Sequence, residues 1–490
     1  MPSQLAAGIP QIQRKARFSD FAPDSDSITP GVLLDCSNVF PTAKGFRSYP
    51  SLVRYSSNAL PSACLGAYAG QQGANFVVAA GTASELYLLT GQAWVAQSTG
   101  ATPITGRWRF DLYGNDLIAV NGVDRAFVYT GSGTFSALGG TPPVASIVQA
   151  TDYALFLIAP NSSTWWASLS DTIWTPAIST ATVTGGITSS RGNITAAKAI
   201  RTGIVIYKRN ALHLGQYAGP PFFWDFGDKV SSEVGAPSQE AVANLGEIHL
   251  FPGPDDFYTF DAFGLKRIPN QLKEWFFENL DQTNDHKIAA RWDQKRSLVF
   301  WHFPSVEASP AGTLDMWICY NLRTGKWSKG AEEVDMPVFS AIQTGQLTYS
   351  TFKATYATYG AVSGVYGDLM SRTTDISGAV KKGDHALHLY NGAPDQAYFT
   401  PHDFGDRRNM YQVTEISPQW EKRPTSATLQ VLEQKNNPGE TPTDGPTATM
   451  NADGKFHCVN TARLQRFKIT VDDEMETTGI EADAEFAGER

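Results

Sequence analysis

The side chains of this chain best equipped for chemistry are eight histidines, four cysteines and a few acidic and basic clusters. His213, His249, His302 and His457 each fall inside a strand-like run, and no two stand at a metal-ligand spacing. They read as structural histidines with satisfied ring nitrogens. Cys36, Cys64, Cys319 and Cys458 are scattered without a CxxC or CxxH step, which argues against a zinc site and a disulfide framework. They read as free thiols in a reducing compartment. Asp255 and Asp256 are adjacent at a turn, and turn chemistry accounts for them. The chain has no GxSxG elbow, no HExxH, no P-loop and no GxGxxG after a strand. Neither an enzyme nor a cofactor is expected.

Bulk properties narrow the partners. The formal net charge is −9, so the basic footprint of a non-specific nucleic-acid binder is absent. Composition is globular, with 42% hydrophobic and 12% aromatic residues, and 43 glycines with 28 prolines favour many turns over long helices. No run of 18 apolar residues occurs, so no membrane span is expected, and the opening MPSQLAAGIPQIQRKARF lacks the apolar stretch of a secretory signal.

The elements that would position these residues come from a repeat. Short apolar cores begin at Phe76 (FVVAA), Asp116 (DLIAV), Ala154 (ALFLI), Gly203 (GIVIY), Gly246 (GEIHL) and Ser297 (SLVFW), 38 to 51 residues apart. A second run follows each one: ELYL, AFVY, TWWA, ALHL, DFYTF and MWICY. Trp94, Phe135, Trp174, Trp224 and Trp327 close five of the units, and strands such as GRWRFDLYG, ITAAKAIR, EAVANLG and KIAARWD precede the cores. Four short antiparallel strands at this period are the signature of a propeller blade, since stacking sheets around an axis covers both faces of each. A degraded seventh unit is read at 338–345, 346–352 and 364–369. One helix is expected in PNQLKEWFFENLD, where Leu272, Trp275, Phe276 and Leu280 share a face, to pack across a blade or dock a partner.

Beyond residue 373 the pattern changes. TTDISGAVKKGDHALHLYNGAPDQAYF is polar and reads as a junction or projecting element, and longer alternating runs follow in ATLQVLEQK and RFKITVDD. In IEADAEFAG, Ile480, Ala482, Ala484 and Phe486 alternate with Glu481, Asp483 and Glu485, which marks a half-buried strand with one wet face. The acidic row is either an ordinary solvated face or the lining of an aqueous channel. The predicted fold is therefore all-β: a propeller of six or seven blades plus a C-terminal antiparallel β-domain. Its expected parts are an N-terminal docking segment able to close a blade (1–63), the propeller (64–372), the junction (373–410) and the C-terminal domain (411–490).

A glycan-active propeller is the rival class. SLSDTIWTP (168–176) resembles the Asp-box turn of sialidase-type propellers, but the expected glycine and a second copy are absent. Such an enzyme also needs arginines converging on the axis, whereas Arg109, Arg125, Arg201 and Arg291 do not recur at one blade position. The GH…WD grammar of WD40 blades is absent as well.

The segment LDCSNVFPTAKGFRSYPSL (34–52) is too irregular for a helix and too apolar for a free tail. Its Val39, Phe40 and Phe46 are expected to pack against the propeller or its junction with the C-terminal domain. Asn38 to Pro41 form an Asn-hydrophobe-x-Pro step, Gly45 to Arg47 a Gly-aromatic-Arg step, and Pro50 lies in a turn. With LYGNDLIAVNGVDRAFVY (112–129) and the Gly488 to Arg490 terminus, the chain resembles the tail nozzle proteins of short-tailed bacteriophages, also called tail hub or DNA-stabilisation proteins. That resemblance implies a structural virion protein made in the host bacterial cytoplasm. It implies a homo-oligomeric ring, usually a hexamer, below the portal and its head-to-tail adaptor. The ring would enclose the exit channel for double-stranded DNA, retain the packaged genome until ejection and anchor tail fibres or spikes. A conduit must not grip its cargo, so acidic or neutral lumen walls are expected, with Glu481, Asp483 and Glu485 as candidate channel-facing residues.

Overall fold

Continuous apolar runs need burial on both faces, and the repeat supplies it. The computed structural model describes residues 15–73, 75–168, 182–201, 203–219, 222–227, 230–340, 376–434 and 443–489. Between Gly66 and Arg267 it contains five four-stranded antiparallel sheets, each with its strands in chain order. Their second strands are the runs identified from sequence, as in Asn75–Gly81, Asp116–Val120, Leu155–Ile158 and Gly203–Lys208. Alternate side chains of one run enter different cores. Leu117 and Ala119 pack with Trp108 towards the first blade, while Ile118 and Val120 meet Leu155 and Leu157 of the third. Phe156 and Ile158 then face Ile204 and Ile206 of the fourth. With no wet side to show, these strands lack polar alternation.

The innermost strands touch neighbour to neighbour around a closed ring of seven, from Gly66–Gln72 through Ala289–Asp293 to the second half of Trp327–Phe339. This is a seven-bladed β-propeller. Aromatic wedges fill the seams. Trp108 is buried between the first two blades and donates Nε1–H to the Thr82 carbonyl at 2.7 Å. A Cβ at Gly81 would lie 2.2 Å from its ring, so only glycine fits there.

The seventh blade is assembled from three parts of the chain. Trp327–Phe339 pairs with Leu314–Asn321 through its first half and with Ser377–Lys381 through its second, and a bulge at Val334 to Met336 turns it from the rim to the axis. Leu387–Pro394 follows, and Pro50–Arg54 closes the sheet as its outermost strand. The beginning of the chain thereby covers an edge that would otherwise be open. Residues 346–352 and 364–369, read as strands of this blade, lie outside the described residues, as do Trp174 and residues 169–176. Stretch 373–410 is not the loop-rich junction expected: residues 377–394 are strands of the seventh blade. Their sequence misleads because a sheet interrupted between its first and second strands loses the period that marked the others.

Two further sheets share one core as a sandwich. The first orders Val39–Pro41, Phe46–Ser48, Glu476–Glu489, Asn409–Lys422 and Phe456–Ala462, with Lys15–Arg17 also on Glu476–Glu489. The second orders Leu33–Ser37, Ala397–Pro401, Leu464–Val471, Ala427–Gln434 and Thr443–Thr449, with Phe404–Gly405 on Leu464–Val471. This lobe therefore starts near residue 397, not 411, and it owns four strands from residues 15–48. The N-terminal segment is part of the sandwich before it closes the propeller.

Helix α1 (Lys273–Asn279) buries Phe276 against Phe257 and Phe303, with ring centroids 5.0 Å apart in both pairs. Leu272 and Leu280 are buried with it. Asp24 accepts the Glu274 and Trp275 amides at 2.8 and 3.0 Å, satisfying orphan donors of the first turn. Trp275 meets Phe21 edge-on at 5.5 Å, so the helix receives the chain's own N-terminal segment.

Candidate functional site

Inner strands of all seven blades enclose an axial cavity of about 280 Å³. It opens into a wider funnel of about 930 Å³ on the face where each inner strand begins. Arg109 and Asp111 lie on the inner strand of the second blade, Gln149 on the third and Lys198 on the fourth. Glu240 precedes the fifth. Arg109 grips Glu240 with two hydrogen bonds, of 2.7 and 3.2 Å, and gives a third, of 2.7 Å, to the Ser146 carbonyl. Arg107 donates to the Lys287 carbonyl at 2.6 Å through Nη2, while its Nη1 lies 3.8 Å from Glu240 and makes no hydrogen bond. Asp111 accepts the Ala150 amide and the Gln149 side chain, both at 2.6 Å, and the Leu112 amide at 2.9 Å.

These surroundings set the charges. Burial alone would raise Glu240, yet Arg109 and Arg107 hold it down at about 2, so it is a fixed anion at neutral pH. Burial pushes Asp111 up to about 6 against the opposing hydrogen bonds of Ala150 and Leu112. Burial also lowers Lys198 and Arg107. Glu240 is too acidic to donate a proton and too engaged to accept one readily. The arrangement can fix the axis electrostatically and present cations to the funnel.

The residues singled out from sequence scatter. Arg109 reaches the axis, Arg125 is exposed on a loop, and Arg201 is exposed with its guanidinium 5.1 Å from the Phe263 ring. Arg291 is fully buried between the sixth and seventh blades. Its guanidinium lies 4.0 Å from the Phe300 ring and 4.1 Å from that of Tyr390, and Nη1 donates to the Tyr49 hydroxyl at 3.0 Å. Tyr49 belongs to the N-terminal segment, so this cage ties that segment to the ring closure. His213 pairs with the Ser190 hydroxyl at 2.7 Å, and His249 lies between the Tyr207 hydroxyl and the Ala199 carbonyl at 2.7 and 2.9 Å. His302 departs from expectation. It is fully buried, neither ring nitrogen has a partner among the described residues, and burial drives its pKa well down, so it stays neutral. His457 is exposed on the strand Phe456–Ala462, and both ring nitrogens have partners as expected, Nδ1 3.4 Å from Glu415 and Nε2 3.0 Å from the Asn451 side-chain amide. All four cysteines are free and buried.

At the lobe junction, Val39 and Phe46 are wholly buried in the core shared by the sandwich and the fifth and sixth blades, whereas Phe40 enters the core of the sixth and seventh blades. Asn38 adopts φ +56°, a left-handed conformation that asparagine tolerates. Its Nδ2 donates to the Gln396 carbonyl at 3.0 Å and its Oδ1 accepts the Ala331 amide at 3.2 Å, bridging the lobes. Glycine is required at position 45, where a Cβ would lie 2.0 Å from the Thr477 carbonyl oxygen. Ile480, Ala482 and Ala484 are buried, but Phe486 is 39% exposed and leaves the apolar row. Asp483 and Glu485 are exposed, and Glu481 lies 3.6 Å from Lys15.

Sequence reasoning found Arg109 and passed over Arg107, Asp111, Lys198 and Glu240. The available signal was a charged residue in or beside the first strand of successive units, in GRWRFDLYG, ITAAKAIR and EAVANLG. No family model and no curated protein matches the chain. Among solved structures it is similar to the extracellular domain of BT3049 from B. thetaiotaomicron, at 9% identity and TM-score 0.44, covering 90% of this chain and 60% of that one. It is also similar to the extracellular domain of BT4673 from the same organism, at 10% identity and TM-score 0.43, covering 74% and 46%. BamB from Moraxella catarrhalis matches at 14% identity and TM-score 0.31, covering 64% and 96%. The chain thus spans less than two thirds of the two extracellular domains. With TM-scores below 0.5 these neighbours carry no argument, and the propeller is read from its own sheets.

Proposed function

We propose that this chain is a non-enzymatic structural subunit of a phage tail nozzle, a ring below the portal and adaptor that encloses the DNA exit path and carries tail fibres or spikes. The observation that carries this reading is the interlocked lobe junction. Residues 15–48 are woven into the sandwich, and residues 50–54 close the propeller. Both ends of the described chain are held in one sheet, where Lys15–Arg17 pairs with Glu476–Glu489. A subunit of a pressurised conduit must pass load to its neighbours without opening its own core, and such lacing resists that. A cyclic ring needs heterologous interfaces, which two dissimilar lobes can supply. The net charge of −9 favours passage of DNA over adhesion.

The second reading, a carbohydrate-binding or carbohydrate-cleaving propeller, draws on Arg107, Arg109, Asp111 and Glu240 meeting at the axis. Negative-stain microscopy of the purified full chain separates the two. Closed rings with no glycan turnover support the nozzle. A monomer that cleaves oligosaccharide overturns it in favour of the second reading.

A further inference from the structure

We propose that the axial cavity of the propeller, entered through its funnel, is a binding site for a small oxyanion-bearing ligand, whose carboxylate or phosphate group is held by Lys198, with Arg107 on the funnel side. The inference stands apart from ring formation and concerns the inside of one subunit.

Charge distribution is the first observation. The chain as a whole is acidic, at −9. Yet the funnel is lined by Arg107, Arg109, Lys287 and Lys382 against one lining carboxylate, Asp335; with Arg109 paired to Glu240 and Lys382 to Glu333, Arg107 and Lys287 supply the excess positive charge. Asp335 is itself engaged, accepting the Cys64 amide at 3.1 Å and pairing with His385 at 2.6 Å. Any solute entering from this face meets a positive field, focused by low-dielectric walls.

Hydrogen-bonding capacity is the second. The axial acceptors are already occupied: Glu240 by Arg109, and Asp111 by two amides and Gln149. Gln239 is turned away, bonded through both ends of its amide to the Ala197 backbone at 2.7 and 2.8 Å. What remains uncommitted is donor. The Lys198 ammonium lines the cavity in the field of Glu240 and Asp111 but has no hydrogen bond and no ion pair within 4 Å to any described residue, and Arg107 Nη1, 3.8 Å from Glu240, is buried with no hydrogen bond among the described residues. The Tyr68 hydroxyl, also at the cavity wall, adds a donor without a described acceptor. Leftover donors beside two cations select an oxyanion over a cation or an uncharged sugar, since a buried donor left unpaired is costly. Cavity and funnel together have the dimensions of a small-molecule site.

The test is titration calorimetry of the full-length chain at low ionic strength, with sodium phosphate, sodium glucuronate and glucose as separate probes. Saturable binding of phosphate or glucuronate is expected, with glucose at least tenfold weaker. Phosphate alone assigns a phosphate group, and glucuronate alone a carboxylate. Lys198→Met should weaken the bound anion at least tenfold, and Lys198→Arg should restore most of it. Lys266→Met, an exposed control on the fifth blade, should leave affinity unchanged. Melting profiles identify any variant that fails to fold, and Lys198→Gln then replaces Lys198→Met. The proposal is overturned if neither anion binds saturably, if glucose binds as tightly, or if the folded Lys198 variants bind like the parent chain. Ring formation is scored separately by microscopy, so this site can fail while the nozzle reading stands, and the reverse.

Discussion

Replacing Glu240 by glutamine should expose how much the propeller axis depends on one buried anion. In the native chain Glu240 is gripped by Arg109 and approached by Arg107, and its carboxyl sits at about 2 against an ordinary 4.5. That gap corresponds to about 3 kcal/mol of preference for the charged form. Because the folded value is the lower one, this stability is fully present above about pH 4.5 and is lost as pH falls towards about 2. Glu240→Gln also leaves two guanidinium groups uncompensated, and breaking a buried pair in this way costs about 3–5 kcal/mol. The two routes agree on a loss of about 3 kcal/mol or more at neutral pH. Urea unfolding followed by tryptophan fluorescence measures it, with Trp108 next in sequence to both arginines. The difference between parent and variant should narrow as pH drops from about 7 to about 3. The double variant Arg109→Met with Glu240→Leu should recover part of the loss, because no partner is then stranded. A loss below about 1 kcal/mol at neutral pH, or one that does not change with pH, would refute the argument that this pair is a fixed internal charge.

Three further outcomes are expected. Phe46→Ala should cost about 3–5 kcal/mol and speed hydrogen exchange in the sandwich, whereas Phe40→Ala should loosen the sixth and seventh blades; identical exchange maps would contradict their placement in separate cores. Gly45→Ala drives a Cβ into the Thr477 carbonyl and should lower stability by about 1–3 kcal/mol, read as a fall in melting temperature that a parent-like melt would disprove. The four cysteines are buried, with burial raising Cys36 and Cys64 to about 12 and Cys458 to about 11, so a thiol-reactive dye should label none of them in the native state and all four in denaturant; rapid native labelling would place a thiol at the surface.

The blades were legible where burial wrote itself into consecutive residues. DLIAV and GIVIY are buried along most of their length, and such runs recurring at one period need no tertiary knowledge to be recognised. The seventh blade hid because its strands come from three places, one of them the opening of the chain. The sandwich strands near the N-terminus hid for another reason. At three to five residues, VFP, FRS and LLDCS are too short to show a period and borrow their stability from partners hundreds of residues away. The axial charges were invisible in kind: Arg109 and Glu240 stand 131 residues apart, and a lone charged residue in or beside a short strand looks like an ordinary wet position until the ring brings Arg109, Asp111, Lys198 and Glu240 together.

The pairing of Arg47 with Glu474, across 427 residues, has a consequence for how the molecule is made. During synthesis Lys15–Arg17 and Phe46–Ser48 have no strand to join until Glu476–Glu489 has been made, and blade seven waits for residues 387–394 before residues 50–54 can seal it. Contacts of such sequence separation form late and slowly. A chain cut before residue 387 therefore keeps an open strand edge on blade seven and an unfinished second lobe. Closure of both lobes therefore waits for strands made hundreds of residues after the segments they hold.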